Sequence, residues 1–497
     1  MKKSRMNWFF VLVISLLLIQ SIIQPLKSSS SPIQQRETIR FIIWELPTDT
    51  DILDKMIADY NKNHTTTVTI SYQWYQWQEY YVKSLLRQKD PSIDIMTLDV
   101  IRVAEYAFND WLAPLTDIEN TLDLADFFPA TVEAAKYSNV LYTLPWFHHS
   151  GMLYYRKDVL KFAYDNGIIS ENRAPVSWAE FHNWTRTMLN NTFLVDYFNT
   201  NYGQDLKGFV WQAKEYEGLM CDLMEWIGAA GEESFLNSDN NAAKFSSSGV
   251  VNALTYMRSL ITDGISPEAV LTYEEEESRM VWDEGNAIFS RNWPYQYRLS
   301  LNNTFLNGSQ DSYLGTNESV FGVSPLPTIN DSKDYPVSCL GGWHLAINAF
   351  SEHQEEAKKF IKWLVEEDQQ VTFSLGYEDF YPTRSSAYDN AAIQKSDRSY
   401  ILEFLPIFER SIARPLHPNY ENISREAQPL IHAMISGKKP ILEGVMELDE
   451  VLKPVINIKN SGIDLSFLYH PFSIIIYAGL IILAVLVIYL RRKGAFK

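Results

Sequence analysis

Three short β-rich runs near the start of the chain are separated by stretches whose apolar residues recur at helical spacing, and this alternation constrains the fold more than any other feature. Residues 38–44 (TIRFIIW) form the first run; Ile52, Leu53, Met56, Ile57 and Tyr60 then fall on one helical face. Residues 68–72 alternate as a strand, 80–87 read as a helix, and 93–98 as a third strand. A βαβαβ order of this kind predicts an α/β fold, a parallel sheet with helices on both faces. Ligands of such sheets sit beyond the carboxyl ends of the strands, which directs attention to the segments after Trp44, Tyr72 and Leu98.

Past Pro145 the pattern restarts. Residues 151–155 read as a strand, and Ser177 with Glu180 predicts a capping box opening a helix toward Leu189. Residues 207–211 read as a strand, 213–230 and 246–263 as long helices, the second stopped by Gly264. Thr272 with Glu275 predicts another capping box, and the acidic run 274–277 is expected as a solvated first helical turn favoured by the helix dipole. Asn292-Trp293-Pro294-Tyr295 follows a strand and cannot continue it. Residues 343–348 read as a further strand leading into a helix over 352–366. There are no internal repeats, and 497 residues leave room for two or three domains.

The two ends speak about location. Lys2, Lys3 and Arg5 precede an apolar run over 8–23 and then serines 28–31, the layout of a secretory signal over 1–31, with an uncleaved N-terminal anchor as the alternative. Residues 472–490 carry no charge and are closed by Arg491, Arg492 and Lys493. Nineteen such residues can span a bilayer, and the basic 491–497 tail places the C-terminus in the cytoplasm. The expectation is an extracellular domain tethered to the lipid bilayer by its C-terminus. Eight Asn-x-Ser/Thr acceptors permit glycosylation of such a domain. Cys221 and Cys339, the only two cysteines, are expected to form a disulfide outside the cell, two free thiols being the alternative. A net charge of −18 makes a nucleic-acid partner improbable, because phosphate neutralisation needs clustered Lys and Arg.

The catalytic inventory is thin. The chain has no HExxH, no G-x-S-x-G, no P-loop and no dinucleotide-binding glycine fingerprint, so neither a catalytic centre nor a cofactor or metal is expected. His148 and His149 lack a third ligand at a helical offset, and a hydrogen-bonding pair in a loop is the simpler reading. Carboxylates are abundant, yet nothing singles out a glycosidase pair. What stands out is the aromatic dressing of loops: Trp74, Trp77, Trp146, Phe147, Trp293, Tyr295, Trp343, Tyr377 and Tyr381. Rigid aromatic faces joined by carboxylates and an Arg suit a ligand with apolar C–H faces and a rim of hydroxyls, a description that fits a sugar.

Five stretches carry a resemblance: 208–218 (GFVWQAKEYEG), 264–270 (GISPEAV), 285–295 (GNAIFSRNWPY), 321–327 (FGVSPLP) and 340–346 (LGGWHLA). In the same order over about 39–453 they resemble the extracellular family 1 solute-binding proteins of ABC importers, most closely the trehalose/maltose binders. The resemblance implies a two-lobed, type II periplasmic-binding-protein-like fold with several crossing strands. Projected here, lobe one takes 37–147 and 344–380, lobe two takes 148–343 and 381–455, and 456–471 links them to the span. By motif, Trp293 and Tyr295 would stack on sugar rings, and Gly342 and Trp343 would line the cleft. Asp99 would accept hydroxyl hydrogen bonds, Asp49 (with Asp51 as the alternative) would do so less directly, and Arg414 would supply a charged donor. Disaccharide binders of this kind usually carry a Tyr and an Asp where this chain has Phe147 and His149, which implies a preferred sugar other than trehalose or maltose. The implied partners are a sugar and the permease subunits of an ABC importer, for a protein acting as a monomer. A surface carbohydrate sensor without transport, or a secreted glycosidase, are the competing readings.

Overall fold

The computed structural model describes residues 38–43, 51–64, 67–72, 78–308, 312–315, 318–335 and 337–457. The signal or anchor over 1–31, the 472–490 span with its 491–497 tail, most of the 456–471 linker, Asp49, Trp74 and Trp77 lie outside the described residues. Among the described residues, no helix is long and apolar enough to cross a membrane.

The strands are β1 (Thr38–Ile43), β2 (Thr67–Tyr72), β3 (Ile95–Asp99), the two-residue β4 (Lys136–Tyr137) and β5 (Val140–Leu141), β6 (Thr143–Ser150), β7 (Met152–Arg156), β8 (Lys207–Val210), β9 (Ala287–Asn292), β10 (Phe321–Ser324), β11 (Ser338–Ile347) and β12 (Ser411–Ile412). One sheet runs β2-β1-β3-β11-β12, with β6 also paired to β11; the other runs β10-β7-β9-β8. As the alternation predicts, β1 pairs β2 and β3 in parallel. The antiparallel β11 makes the sheet mixed.

Side-chain alternation distributes the first sheet between two apolar layers. Ile39, Phe41, Ile43, Ile95, Leu345 and Ile347 pack on one face with Leu53 and Tyr60 of helix Asp51–Asn63 and Phe360 of helix Gln354–Leu364. Ile42, Met96, Leu98 and Ala346 pack on the other with Val82 and Leu86 of helix Gln78–Arg87. A period of two sends neighbours to opposite faces, so a doubly covered sheet reads as a continuous apolar run. The second sheet is organised around helix Glu217–Ala229, which is buried from Gly218 to Ala229 among Phe181, Phe209, Phe289 and Met257.

The chain passes between the sheets where strands run on. β6 ends at Ser150 and β7 of the other sheet begins at Met152, so the expected boundary at 147/148 falls inside β6 and that at 343/344 inside β11. His148 and His149 therefore lie in a strand rather than a loop. His148 is fully buried, its Nε2 within 2.7 Å of the Ser150 hydroxyl and 3.1 Å of that of Ser411. Burial drives its pKa well below the usual histidine value, so it is a neutral structural element of the crossing.

Ser177 caps helix Trp178–Asn190 as expected, accepting from the Glu180 amide at 3.2 Å, while the Glu180 carboxylate accepts from the Val176 amide. The second capping box is shifted. Glu274 and Glu277 form it, because Thr272 still belongs to the preceding 3-10 turn Glu268–Thr272 and the helix begins only at Glu275. Cys221 and Cys339 come together in the core of the second lobe, but as two buried free thiols rather than the expected disulfide. The Cys339 thiol donates to the Leu340 carbonyl, and Cys221 is within hydrogen-bonding reach of Cys339.

Candidate binding cleft

A cavity of about 590 Å³ opens between the two sheets. β3 pairs β11 over Trp343–Ile347, and β12 pairs it only at Ser338 and Cys339. Leu340, Gly341 and Gly342 are thus left unpaired by both, and the cavity sits against them. Gly342 is required there: its φ is +95°, and a Cβ would lie 2.2 Å from the Phe147 carbonyl oxygen. At Gly341 a Cβ would meet the Trp293 ring at 3.1 Å, so the missing side chain lets the indole lie against the strand.

Of the residues expected from sequence, Asp99, His149, Trp293, Tyr295, Gly342, Trp343 and Arg414 all line this cavity. Phe147 does not. It shares a strand face with His149 but lies nearer the lobe-one core, where Trp146 and Phe380 pack on its ring at 5.5 and 5.6 Å. The sequence groups the two because they occupy the places where the resembled disaccharide binders carry a Tyr and an Asp, and a motif position does not report how deep a side chain sits.

The aromatic platform follows from β9. Asn292 ends the strand, its carboxamide oxygen accepts from the Trp293 amide at 2.8 Å, and Pro294 turns the chain into helix Tyr295–Asn302. Trp293 is half-buried. The guanidinium of Arg291 covers one indole face, 4.4 Å from the ring centre, and the indole N–H donates to Glu275 at 3.3 Å. Arg291 itself is fully buried and held by both oxygens of Glu225, at 2.8 and 2.5 Å, and by Gln212 at 3.0 Å. The Tyr295 hydroxyl donates to Glu276 at 2.7 Å; burial first, and that carboxylate second, keep the phenol protonated at any ordinary pH.

Opposite the platform the polar groups come from both lobes. Asp99 ends β3 and accepts from the Ile101 amide at 3.0 Å, capping the turn after the strand. Arg414 is nearly sealed. It donates to Glu217 at 2.8 Å and lies 3.4 Å from the Leu340 carbonyl and 3.5 Å from Asp99. Glu217 also accepts from the Tyr420 and Ser424 hydroxyls. At the rim, Arg102 and Lys83 of lobe one reach Glu421 of helix Tyr420–Ile435 at 2.7 and 3.1 Å, an ionic bridge across the cleft edge. Burial raises the Glu421 pKa, but Arg102 and Lys83 outweigh it and hold the group down at about 2.

Sequence reasoning missed Glu217, Glu275, Arg102 and Asp379 among the lining residues. Glu275, Arg102 and Asp379 are each one charge among many, with no motif to separate them from a solvated surface charge. Glu217 lies in the 208–218 stretch but beside Glu215, with nothing local to single it out. Among the described residues no group of three or more His, Cys, Asp or Glu side chains is arranged to hold a metal ion. Aromatic faces beside carboxylates and a buried arginine are chemically suited to orienting and desolvating a hydroxyl-bearing molecule.

The sequence profile of bacterial extracellular solute-binding proteins matches residues 46–371. A probable ABC transporter-binding protein from Deinococcus radiodurans is 29% identical over 360 residues, 71% of this chain and 77% of that protein. Among solved structures, maltose-bound MalE3 of T. maritima superposes with a TM-score of 0.64 at 29% identity, covering 84% of this chain and 99% of the other. The cyclic α-maltosyl-1,6-maltose binding protein of Arthrobacter globiformis superposes at 0.69 with 20% identity over 85% of this chain and 99% of its own, a likeness of fold.

Proposed function

The chain belongs to the family of bacterial extracellular solute-binding proteins, and from that membership we propose that it captures a di- or oligosaccharide, maltose or trehalose among the first to test, and delivers it to the permease of an ABC importer. The family is one of binding proteins, not enzymes. One observation carries the sugar reading: a Trp293–Tyr295–Trp343 platform and a set of carboxylates with one buried arginine line the same cavity from two lobes. Aromatic faces desolvate the C–H surfaces of a pyranose without a strict directional demand, while carboxylates and Arg414 impose orientation on its hydroxyls. Binding draws the lobes together over the ligand, and the closed form docks on the permease as a monomer.

The 472–490 segment would hold the domain at the outer face of the cell membrane, leaving 491–497 inside. Protease added to intact cells should then remove the domain; full protection defeats that topology. The ligand class is tested by thermal shift and calorimetry with maltose, trehalose and maltotriose. A sugar present at a hundred times its Kd should stabilise the protein by about 2.7 kcal/mol. Absence of any shift or heat across the panel would refute the sugar assignment.

A further inference from the structure

The carboxylates of the cleft are not equivalent. Glu217 spends both oxygens, on Arg414 and Tyr420 and on Ser424. Glu275 accepts the Trp293 indole, and Asp99 gives one oxygen to the Ile101 amide. Asp379 also lines the cleft, and its carboxylate makes no hydrogen bond among the described residues. Its Oδ1 is sealed from solvent without a partner, while 32% of the side chain remains open. An acceptor left unmet in a closing cavity costs free energy unless the ligand meets it.

The backbone that carries Asp379 is braced from every side. Arg398, almost fully buried, donates to the Ser374 and Tyr377 carbonyls and lies 3.4 Å from that of Phe380. Tyr381 reaches the Pro294 carbonyl at 3.3 Å, and Arg298 of the platform helix pairs with Glu378. From lobe one, His149 Nε2 lies 2.9 Å from the Asp379 carbonyl oxygen; that oxygen can only accept, so Nε2 carries the proton. The same nitrogen lies 3.6 Å from Oδ1. The groups facing the carboxylate are therefore His149 from β6, Tyr154 from β7, and Tyr381 and Arg398 from beyond its own turn.

We propose that Asp379 is a specificity-determining residue of the cleft, its carboxylate accepting hydroxyl protons of the bound sugar, and that His149 is the positioning residue that fixes it at the junction of the lobes. The inference rests on the sugar reading. Burial raises the Asp379 pKa above the usual carboxylate value, and His149 and Arg398 only partly offset the rise.

The test titrates the full chain and Asp379→Asn with maltose, trehalose, maltotriose and the monodeoxy derivatives of maltose and trehalose. A hydrogen bond from a hydroxyl to a carboxylate predicts a loss of about 10- to 100-fold on Asp379→Asn. One monodeoxy sugar should bind the wild type correspondingly weakly and lose nothing further in the variant. The wild-type deoxy series needs no variant to fold: if no single hydroxyl matters by tenfold, the inference fails. It also fails if the variant binds every sugar like the wild type, or loses the same factor on every deoxy analogue. His149→Ala should flatten the deoxy selectivity and His149→Gln, which keeps a donor, should restore it; equal selectivity in all three overturns the positioning role. Wild-type protein that binds no sugar of the panel defeats the proposed function and this inference with it, whereas sugar binding with indifference to Asp379 defeats this inference alone.

Discussion

Truncating Trp293 to Ala tests the placement of the cleft most directly. The indole is held on three sides: Arg291 covers one face at 4.4 Å, Gly341 meets its edge, and Glu275 accepts its N–H. The half-buried indole lines the cavity, where a ligand would cover what these contacts leave open. A tryptophan side chain exposes roughly 200 Å², of which one face and edge amount to ~80–100 Å². At ~25 cal/mol per Å² the lost contact is worth about 2–2.5 kcal/mol, and about 4 kcal/mol bounds the effect if the indole is a central, fully desolvated anchor. The variant should therefore weaken binding by about 30-fold or more for every sugar the protein accepts, because stacking does not discriminate among hydroxyl patterns. The fold should survive. Losing the cation–π contact costs about 0.5–2 kcal/mol, but Arg291 keeps Glu225 and Gln212, so no buried charge is orphaned. Isothermal titration across the sugar panel, with circular dichroism on the same samples, decides the matter. A cooperatively folded variant that binds each sugar within twofold of the wild type would refute the argument, whatever the family membership.

Three further outcomes are expected. Gly342→Ala combines a left-handed backbone with a Cβ 2.2 Å from a carbonyl oxygen, and should lower stability by about 2–4 kcal/mol in urea titrations; a loss below about 0.5 kcal/mol would mean that β11 shifts freely at this point. Because the folded Glu421 pKa is depressed to about 2, the stability it contributes is fully present above the unfolded carboxylate value and is lost as pH falls from there through about 2. Glu421→Gln should remove that acid-range dependence and weaken the inter-lobe bridge by about 1–3 kcal/mol, and an unchanged pH–stability profile below pH 4.5 would count against the bridge. The hydrogen bond to Cys339 and burial both push the Cys221 thiol well above its ordinary pKa, so alkylation of the native protein should label neither cysteine and alkylation after unfolding without reductant should label both; thiols that stay blocked after unfolding would show the pair to be bonded.

The order of residues determined more of the frame than of the site. The βαβαβ alternation sufficed for β1, β2 and β3, because β-rich apolar runs (β1, β3) or period-two alternation (β2) mark strands and a crossover helix must show a 3.6-residue stripe. The aromatics were legible for a related reason: a Trp-Pro-Tyr that follows a strand and cannot continue it has to be a turn, and turns at the ends of such strands face a cleft. Only the tertiary structure decided what the charges do. Asp99, Glu217, Asp379 and Arg414 lie on segments far apart in the chain and meet where β3 and β12 leave one edge of β11 free while β6 pairs the other. Which carboxylate keeps a free acceptor depends on partners no local window contains: Tyr420 and Ser424 exhaust Glu217, Lys83 and Arg102 claim Glu421, and among the described residues Asp379 Oδ1 accepts no hydrogen bond although His149 Nε2 lies 3.6 Å away. Depth was equally invisible. Phe147 and His149 share a strand face, yet one ring is covered by Phe380 and the other reaches the cleft, because periodicity encodes the direction of a side chain and only packing sets the layer above it.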